Sequence, residues 1–153
     1  TFYEFPTNRI AAVSIQLDGS PSSPPQPMIF MGATHDLSPD GRWLVYADAG
    51  INVRALPVGE HVQKISDIGS EPKWCRTCNE IVFRNGNRWF SSEVRAGSSF
   101  DWKPPRMILQ TQFNDSPGPS FGLSADGQRI LVVKRKEERP RDTIRVIHSW
   151  LGS

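Results

Sequence analysis

Leu37-Ser38-Pro39-Asp40-Gly41-Arg42-Trp43-Leu44-Val45-Tyr46 places one apolar residue before a polar turn and a run of β-formers. The same shape returns as Leu123-Ser124-Ala125-Asp126-Gly127-Gln128-Arg129-Ile130-Leu131-Val132. A divergent copy lies between them, Trp74-Cys75-Arg76-Thr77-Cys78-Asn79-Glu80-Ile81-Val82-Phe83. The three align without a gap and start 37 and 49 residues apart. A unit recurring every ~20–50 residues buries its apolar side only by stacking on its neighbours, so this spacing predicts a β-repeat protein.

The turn at the centre of each unit has a local chemistry. Pro39 presets φ, Asp40 and Asp126 bond their own backbone, and Gly41 and Gly127 accept φ > 0. Ser38, Asp40, Gly41, Ser124, Asp126 and Gly127 are therefore expected to be turn-formers rather than ligands. An EF-hand-like calcium loop needs further spaced oxygen ligands, and none follow these pairs. Strands are expected on either side, over Ala33 to Ser38, Arg42 to Ala47, Ile51 to Leu56, Glu80 to Arg84, Arg88 to Val94, Arg106 to Gln110 and Arg129 to Lys134. Asn85-Gly86-Asn87 is a hairpin signal. Further strands are expected at Thr1 to Phe5, Ile10 to Leu17, Pro27 to Met31, His61 to Ile65 and Thr143 to His148. Ala96 to Pro105 is read as a long loop. Leu37, Trp74 and Leu123 should hold equivalent buried positions.

Trp43 and Val45 would face one side of their sheet, Leu44 and Tyr46 the other. Strands apolar on both sides need cover on both faces. Four-stranded antiparallel sheets stacked around an axis supply that cover. The expected fold is all-β: a partial β-propeller of about three to four antiparallel four-stranded blades. The chain reads as one domain over 1–153, divided as 1–32, a partial blade; 33–69, a blade; 70–117, a blade; and 118–153, a partial blade. The strand counts are three, four, four and three.

Ser38-Pro39-Asp40-Gly41-Arg42 followed by Leu44-Val45-Tyr46 resembles the Trp-Ser-Pro-Asp-Gly-x-x-Ile-x-Phe blade motif of TolB-like, WD-repeat-like β-propellers. Pro27-Met28-Ile29-Phe30 and Arg106-Met107-Ile108-Leu109 resemble outer blade strands. Ile144 to Leu151 resembles the end of bacterial propellers fused behind kinases or winged-helix regulators. The resemblance spans nearly the whole chain and implies fold more than function. Family propellers have six to eight blades, so it also implies the C-terminal part of a larger ring or a short variant, and a periplasmic or extracytoplasmic setting. The second unit departs from the motif, with Cys75-Arg76-Thr77-Cys78 where Ser-Pro-Asp-Gly is expected.

Composition narrows the classes. The 153 residues are 37% apolar and 22% charged, as in a soluble globular domain. No apolar run approaches the ~18 residues of a membrane helix, and Thr1 to Ile10 lacks the basic start and apolar core of a signal peptide. A net charge of +2 does not point to nucleic acid. The mixed charges from Lys134 to Asp142 read as a solvated hairpin loop.

Cys75 and Cys78 have redox spacing, but between strands rather than before a helix. His35, His61 and His148 are too scattered to complete a zinc set. Structural thiols or a local disulfide, a metal and redox catalysis stay open, with the first favoured and no metal or cofactor expected. Of Trp43, Trp74, Trp89, Trp102 and Trp150, four lie in or beside strands and should pack. Trp102 sits in the long loop with Phe100, which makes Phe100 and Trp102 the binding candidates. No Ser/His/Asp set, carboxylate pair or phosphate loop can be assembled, and Gly-x-Ser-x-Gly is absent. The expected function is a non-catalytic module binding a protein or peptide, within a homo-oligomer or a longer propeller. The alternatives are the accessory propeller of a prolyl oligopeptidase-like hydrolase or a propeller sugar/lactone hydrolase.

Overall fold

The Ser38 turn closes itself from both ends. In this computed structural model the Ser38 amide donates to Trp43 O at 2.9 Å, and Gly41 N to Ser38 O at 2.9 Å. Asp40 Oδ1 accepts from Ser38 Oγ at 2.6 Å and from Arg42 N at 3.1 Å, while Ser38 Oγ accepts from Trp43 N at 3.0 Å. The Ser124 turn repeats every bond: Ser124 N to Arg129 O, Gly127 N to Ser124 O, Ser124 Oγ and Gln128 N to Asp126 Oδ1, Arg129 N to Ser124 Oγ. Gly41 and Gly127 both take φ 70, which a side chain resists. The hydrogen bonds from Ser38 and Ser124, then those from the Arg42 and Gln128 amides, hold the Asp40 and Asp126 carboxyls below their ordinary range.

The structure describes residues 9–12, 16, 18, 20–21, 26–30, 34–56, 61–111 and 120–132. These are all-β, with no helix among them. Strand β1 (Arg9–Ala12) pairs antiparallel with β2 (Gln26–Phe30). Next comes a four-stranded meander of β3 (His35–Leu37), β4 (Trp43–Ala47), β5 (Ile51–Ala55) and β6 (Val62–Ser66). A five-stranded sheet follows, of β7 (Ser70–Trp74), β8 (Glu80–Asn85), β9 (Arg88–Ala96), β10 (Phe100–Trp102) and β11 (Arg106–Gln110). Strand β12 (Phe121–Leu123) pairs with β13 (Ile130–Val132) in a last two-stranded sheet. All pairings are antiparallel.

The nine residues of β9 have two short partners on one edge, Arg88–Ser91 against β11 and Val94–Ala96 against β10. Pro104 and Pro105 separate those partners, because a prolyl residue has no N–H for the ladder. The stretch expected to be a loop, Ala96 to Pro105, thus contains a strand. The strands expected at Thr1 to Phe5 and Thr143 to His148 lie outside the described residues.

The sheets pack face to face. Trp43, Val45, Ile51 and Val53 of the meander meet Trp74, Ile81, Phe83, Val94 and Phe100 of the second sheet in one buried cluster. On the opposite face of that sheet, Val82 and Trp89 meet Phe121, Leu123, Ile130 and Val132. Each fully buried side chain of this size contributes about 1.5–3 kcal/mol. Leu44 and Tyr46 are also buried, at 2% and 5% exposure, so β4 is apolar and covered on both sides.

The aligned first-strand positions do not share one environment. Trp74 is 4% exposed and Leu123 partly buried, whereas Leu37 is 42% exposed. This corrects the expected burial at Leu37, while the register is equivalent in all three, with Leu37 opposite Leu44, Trp74 opposite Ile81 and Leu123 opposite Ile130. Trp74 lies between the first and second sheets, with Phe100 against its ring at 6.2 Å. Leu37 lies on the face that carries Leu44, its partner in register, away from that core.

Candidate functional site

β10 joins a buried aromatic cluster to the surface. Phe100 is wedged between Trp43, at 5.2 Å between ring centroids, and Trp74, at 6.2 Å. Trp102 stacks on Phe100 at 5.9 Å with 26° between the planes. Phe100 is 4% exposed and Trp102 39%. Of the two expected binding residues, Phe100 is therefore part of the core and supports the platform, while Trp102 presents its indole to solvent. The other described tryptophans, Trp43, Trp74 and Trp89, are buried. Trp150 lies outside the described residues.

Trp102 borders a cavity of about 580 Å³. Asp101, Trp102 and Lys103 of the β10 segment form one wall, Glu93, Val94 and Arg95 of β9 the floor, and Cys78, Asn79 and Glu80 the opposite wall. The backbone fixes all three. Lys103 N donates to Glu93 O at 2.9 Å, and Val94 N to Asn79 O at 2.8 Å. Ser92 Oγ donates to Lys103 O at 2.6 Å.

Charges alternate around the rim. Glu80 and Glu93 are directly opposite in register, a repulsive placement. Each has a cation: Lys103 Nζ pairs with Glu93 Oε2, and Arg106 Nη2 lies 3.2 Å from Glu80 Oε1. The hydrogen bond from Lys103, then its charge, keeps the Glu93 carboxyl below the ordinary carboxylate range. Asp101 and Arg95 face each other across β10 and β9. The register puts the Trp102 indole on the face of the sheet that carries Phe100 and Val94, and Glu80, Glu93, Arg95 and Asp101 on the other face, so the charged groups and the indole border the cavity from opposite sides of the sheet.

The Cys-x-x-Cys turn forms a Cys75–Cys78 disulfide with 5.4 Å between Cα atoms. Its sulfurs are therefore not free to bind a metal as thiolates. No group of three or more His, Cys, Asp or Glu that could hold a metal ion occurs among the described residues. The disulfide replaces the Ser–Asp staple of the other two turns, and Cys75 N still donates to Glu80 O at 2.9 Å. Cys78 lines the cavity of Trp102, while Cys75 borders a second, smaller one of about 230 Å³ beside Ser38 and Asp40.

No protein-family model, curated protein or solved structure matches this chain. No helix among the described residues is long and apolar enough to cross a membrane.

The polar walls of the cavity were not foreseen from the sequence, although one signal was present. The Asn85-Gly86-Asn87 hairpin fixes the β8–β9 register, with Asn85 opposite Arg88 and Gly86 at φ 59. Counting outward from it places Glu80 opposite Glu93. The arrival of Asp101 and Lys103 beside them depends on β10, whose three residues are too few for their alternation to reveal it.

Proposed function

We propose that this chain is a non-catalytic protein- or peptide-binding module of the TolB-like, WD-repeat-like β-propeller kind, and that it binds its partner in the cavity beside Trp102. The observation that carries this is the indole of Trp102, half-exposed on a ring stack already locked in the core. A platform ordered before binding loses little conformational freedom when a partner arrives. Buried aromatic anchors of this kind dominate many protein interfaces. The face-to-face sheets and the shared turn chemistry support the propeller reading, in which each sheet is a blade. On that reading the stack continues past β13, through a second copy of the chain or the remainder of a longer propeller.

The test is a selection of random linear peptides against the full chain, followed by affinity measurement by calorimetry. Selected peptides should bind the wild-type chain and bind Trp102→Ala about 30-fold more weakly, the ~2 kcal/mol of an aromatic hot spot. Peptides that bind both forms equally would place the binding surface elsewhere.

A further inference from the structure

The two cysteines are unequal in access and in surroundings. Cys75 is 1% exposed, whereas Cys78 is half-buried and forms part of the wall of an open cavity. The Cys78 amide donates to Cys75 Sγ at 3.1 Å. An N–H aimed at a sulfur favours its thiolate, and a stabilised thiolate leaves faster in exchange. Access therefore directs attack to Cys78, with Cys75 as the leaving sulfur, and the Cys78 amide offsets part of what burial and the Ala125 carbonyl cost its thiolate.

The next sheet presses against this disulfide. Thr77 N and Thr77 Oγ1 both donate to Ala125 O, at 3.1 and 2.9 Å. Cys75 Sγ lies 3.4 Å from the same carbonyl oxygen. A Cβ built on Gly127 would lie 2.6 Å from Cys78 Sγ and 3.0 Å from Cys75 Sγ, so no slack remains on that side. The turn also lacks the parts that hold its two relatives. Thr77 stands where Asp40 and Asp126 accept their bonds, and Cys78 stands where Gly41 and Gly127 take φ 70.

We propose that the Cys75–Cys78 disulfide is a redox switch at the joint between the second sheet and the β12–β13 sheet: a dithiol reductant opens it and loosens that joint. A thiolate of the dithiol attacks Cys78 Sγ, the bond to Cys75 breaks, and Cys75 leaves with the electron pair. The second thiol of the reductant then displaces Cys78 and closes the reductant's own disulfide. Two electrons pass to the protein, and two protons end on Cys75 and Cys78. The separated sulfurs need van der Waals spacing, and the direction of least room is toward Gly127. The displacement therefore acts on the Ala125–Gly127 turn and on the two Thr77 hydrogen bonds. This inference is independent of what the cavity beside Trp102 binds.

The test uses the full chain in native buffer with dithiothreitol, counting thiols and following amide hydrogen exchange by mass spectrometry. Two thiols per chain should appear without denaturant. Exchange over residues 75–80 and 121–130 should rise about tenfold, while residues 43–55 stay unchanged, as expected when one joint opens locally. Reoxidation should reverse the effect. In Cys75→Ser/Cys78→Gly, which restores the Ser and Gly of the neighbouring turns, exchange should not respond to reductant. A disulfide that yields thiols only in denaturant would overturn the proposal, as would reduction that leaves residues 121–130 unchanged. Both readouts come from the wild-type chain, so the result stands even where the double variant does not fold.

Discussion

Glu71 is buried at 6% exposure with φ 51, a left-handed conformation that a residue other than glycine adopts at a cost. Its carboxylate offsets that cost by joining three groups. Oε1 accepts from Arg84 Nε and Nη2 at 3.0 and 2.8 Å, and Oε2 accepts from Ser120 N and Oγ at 2.7 Å each. Its own amide donates to Thr34 Oγ1 at 3.0 Å, so one residue ties the second sheet to both neighbours. Burial alone would raise the Glu71 carboxyl, but the Ser120 amide and hydroxyl and the Arg84 guanidinium together hold it below the ordinary range. A folded-state value below the unfolded one of about 4.3 means that this carboxylate stabilises the fold at neutral pH. That contribution disappears as pH falls through the folded value. Glu71→Gln, which strips the buried Arg84 of its carboxylate, should therefore cost about 3–5 kcal/mol at pH 7. Urea unfolding from pH 7 to pH 3 should show the wild-type advantage shrinking toward acid. An advantage independent of pH would show that the charge of Glu71 contributes nothing. No local pattern in the sequence brings Glu71, Arg84 and Ser120 together. Each is polar and unremarkable in its own segment; the β7–β8 pairing brings Arg84 to Glu71, and the stacking of the last sheet on the second brings Ser120.

At the scale of elements, the two Ser-x-Asp-Gly turns are alike internally and differ in what surrounds them. Gly41 and Gly127 share φ 70, but a Cβ at Gly41 meets nothing within 4 Å, whereas one at Gly127 meets both sulfurs of the disulfide. Gly41→Ala should cost only the left-handed backbone strain, about 1–2 kcal/mol. Gly127→Ala should cost measurably more, since the added methyl must displace Cys78 Sγ. Equal shifts in unfolding midpoint would show that the β12–β13 turn does not bear on the disulfide. These turns were legible in the sequence because their bonds are local, from Ser38 to Asp40 and from Ser124 to Asp126. The β8–β9 hairpin was legible for the same reason. β10 was not. Phe100-Asp101-Trp102 alternates over three residues only, too few to tell a strand from a loop, and it is a strand because Val94–Ala96 of β9 leaves an edge for it. The same edge explains the candidate site. Aromatic residues in an apparent loop pointed to Phe100 and Trp102 together, yet the pairing with β9 sends Phe100 inward and leaves Trp102 at the rim.

At the scale of the whole molecule, equivalent positions trace how the sheets stack. Val45 of β4 and Val82 of β8 both point to the sheet that follows in sequence, and they are 0% and 2% exposed. The same position in the last unit is Leu131, which is 76% exposed. Its strand neighbours Ile130 and Val132 pack back onto Val82 and Trp89, so one side of β13 is covered while Leu131 stands open. A large aliphatic side chain at that exposure, in a register where its two relatives are core, marks a face built to be covered. A second copy of the chain is one way to cover it, since two-fold pairing is the commonest closed assembly. Light scattering on the full chain at micromolar concentration should then give twice the chain mass, and Leu131→Lys should return it to one while leaving its far-ultraviolet circular dichroism unchanged. Leu131 faces away from the Val82–Trp89 cluster, so the substitution leaves that cluster intact. A wild-type chain that stays monomeric and folded, or a Leu131→Lys variant that still dimerises, would remove this face from the assembly.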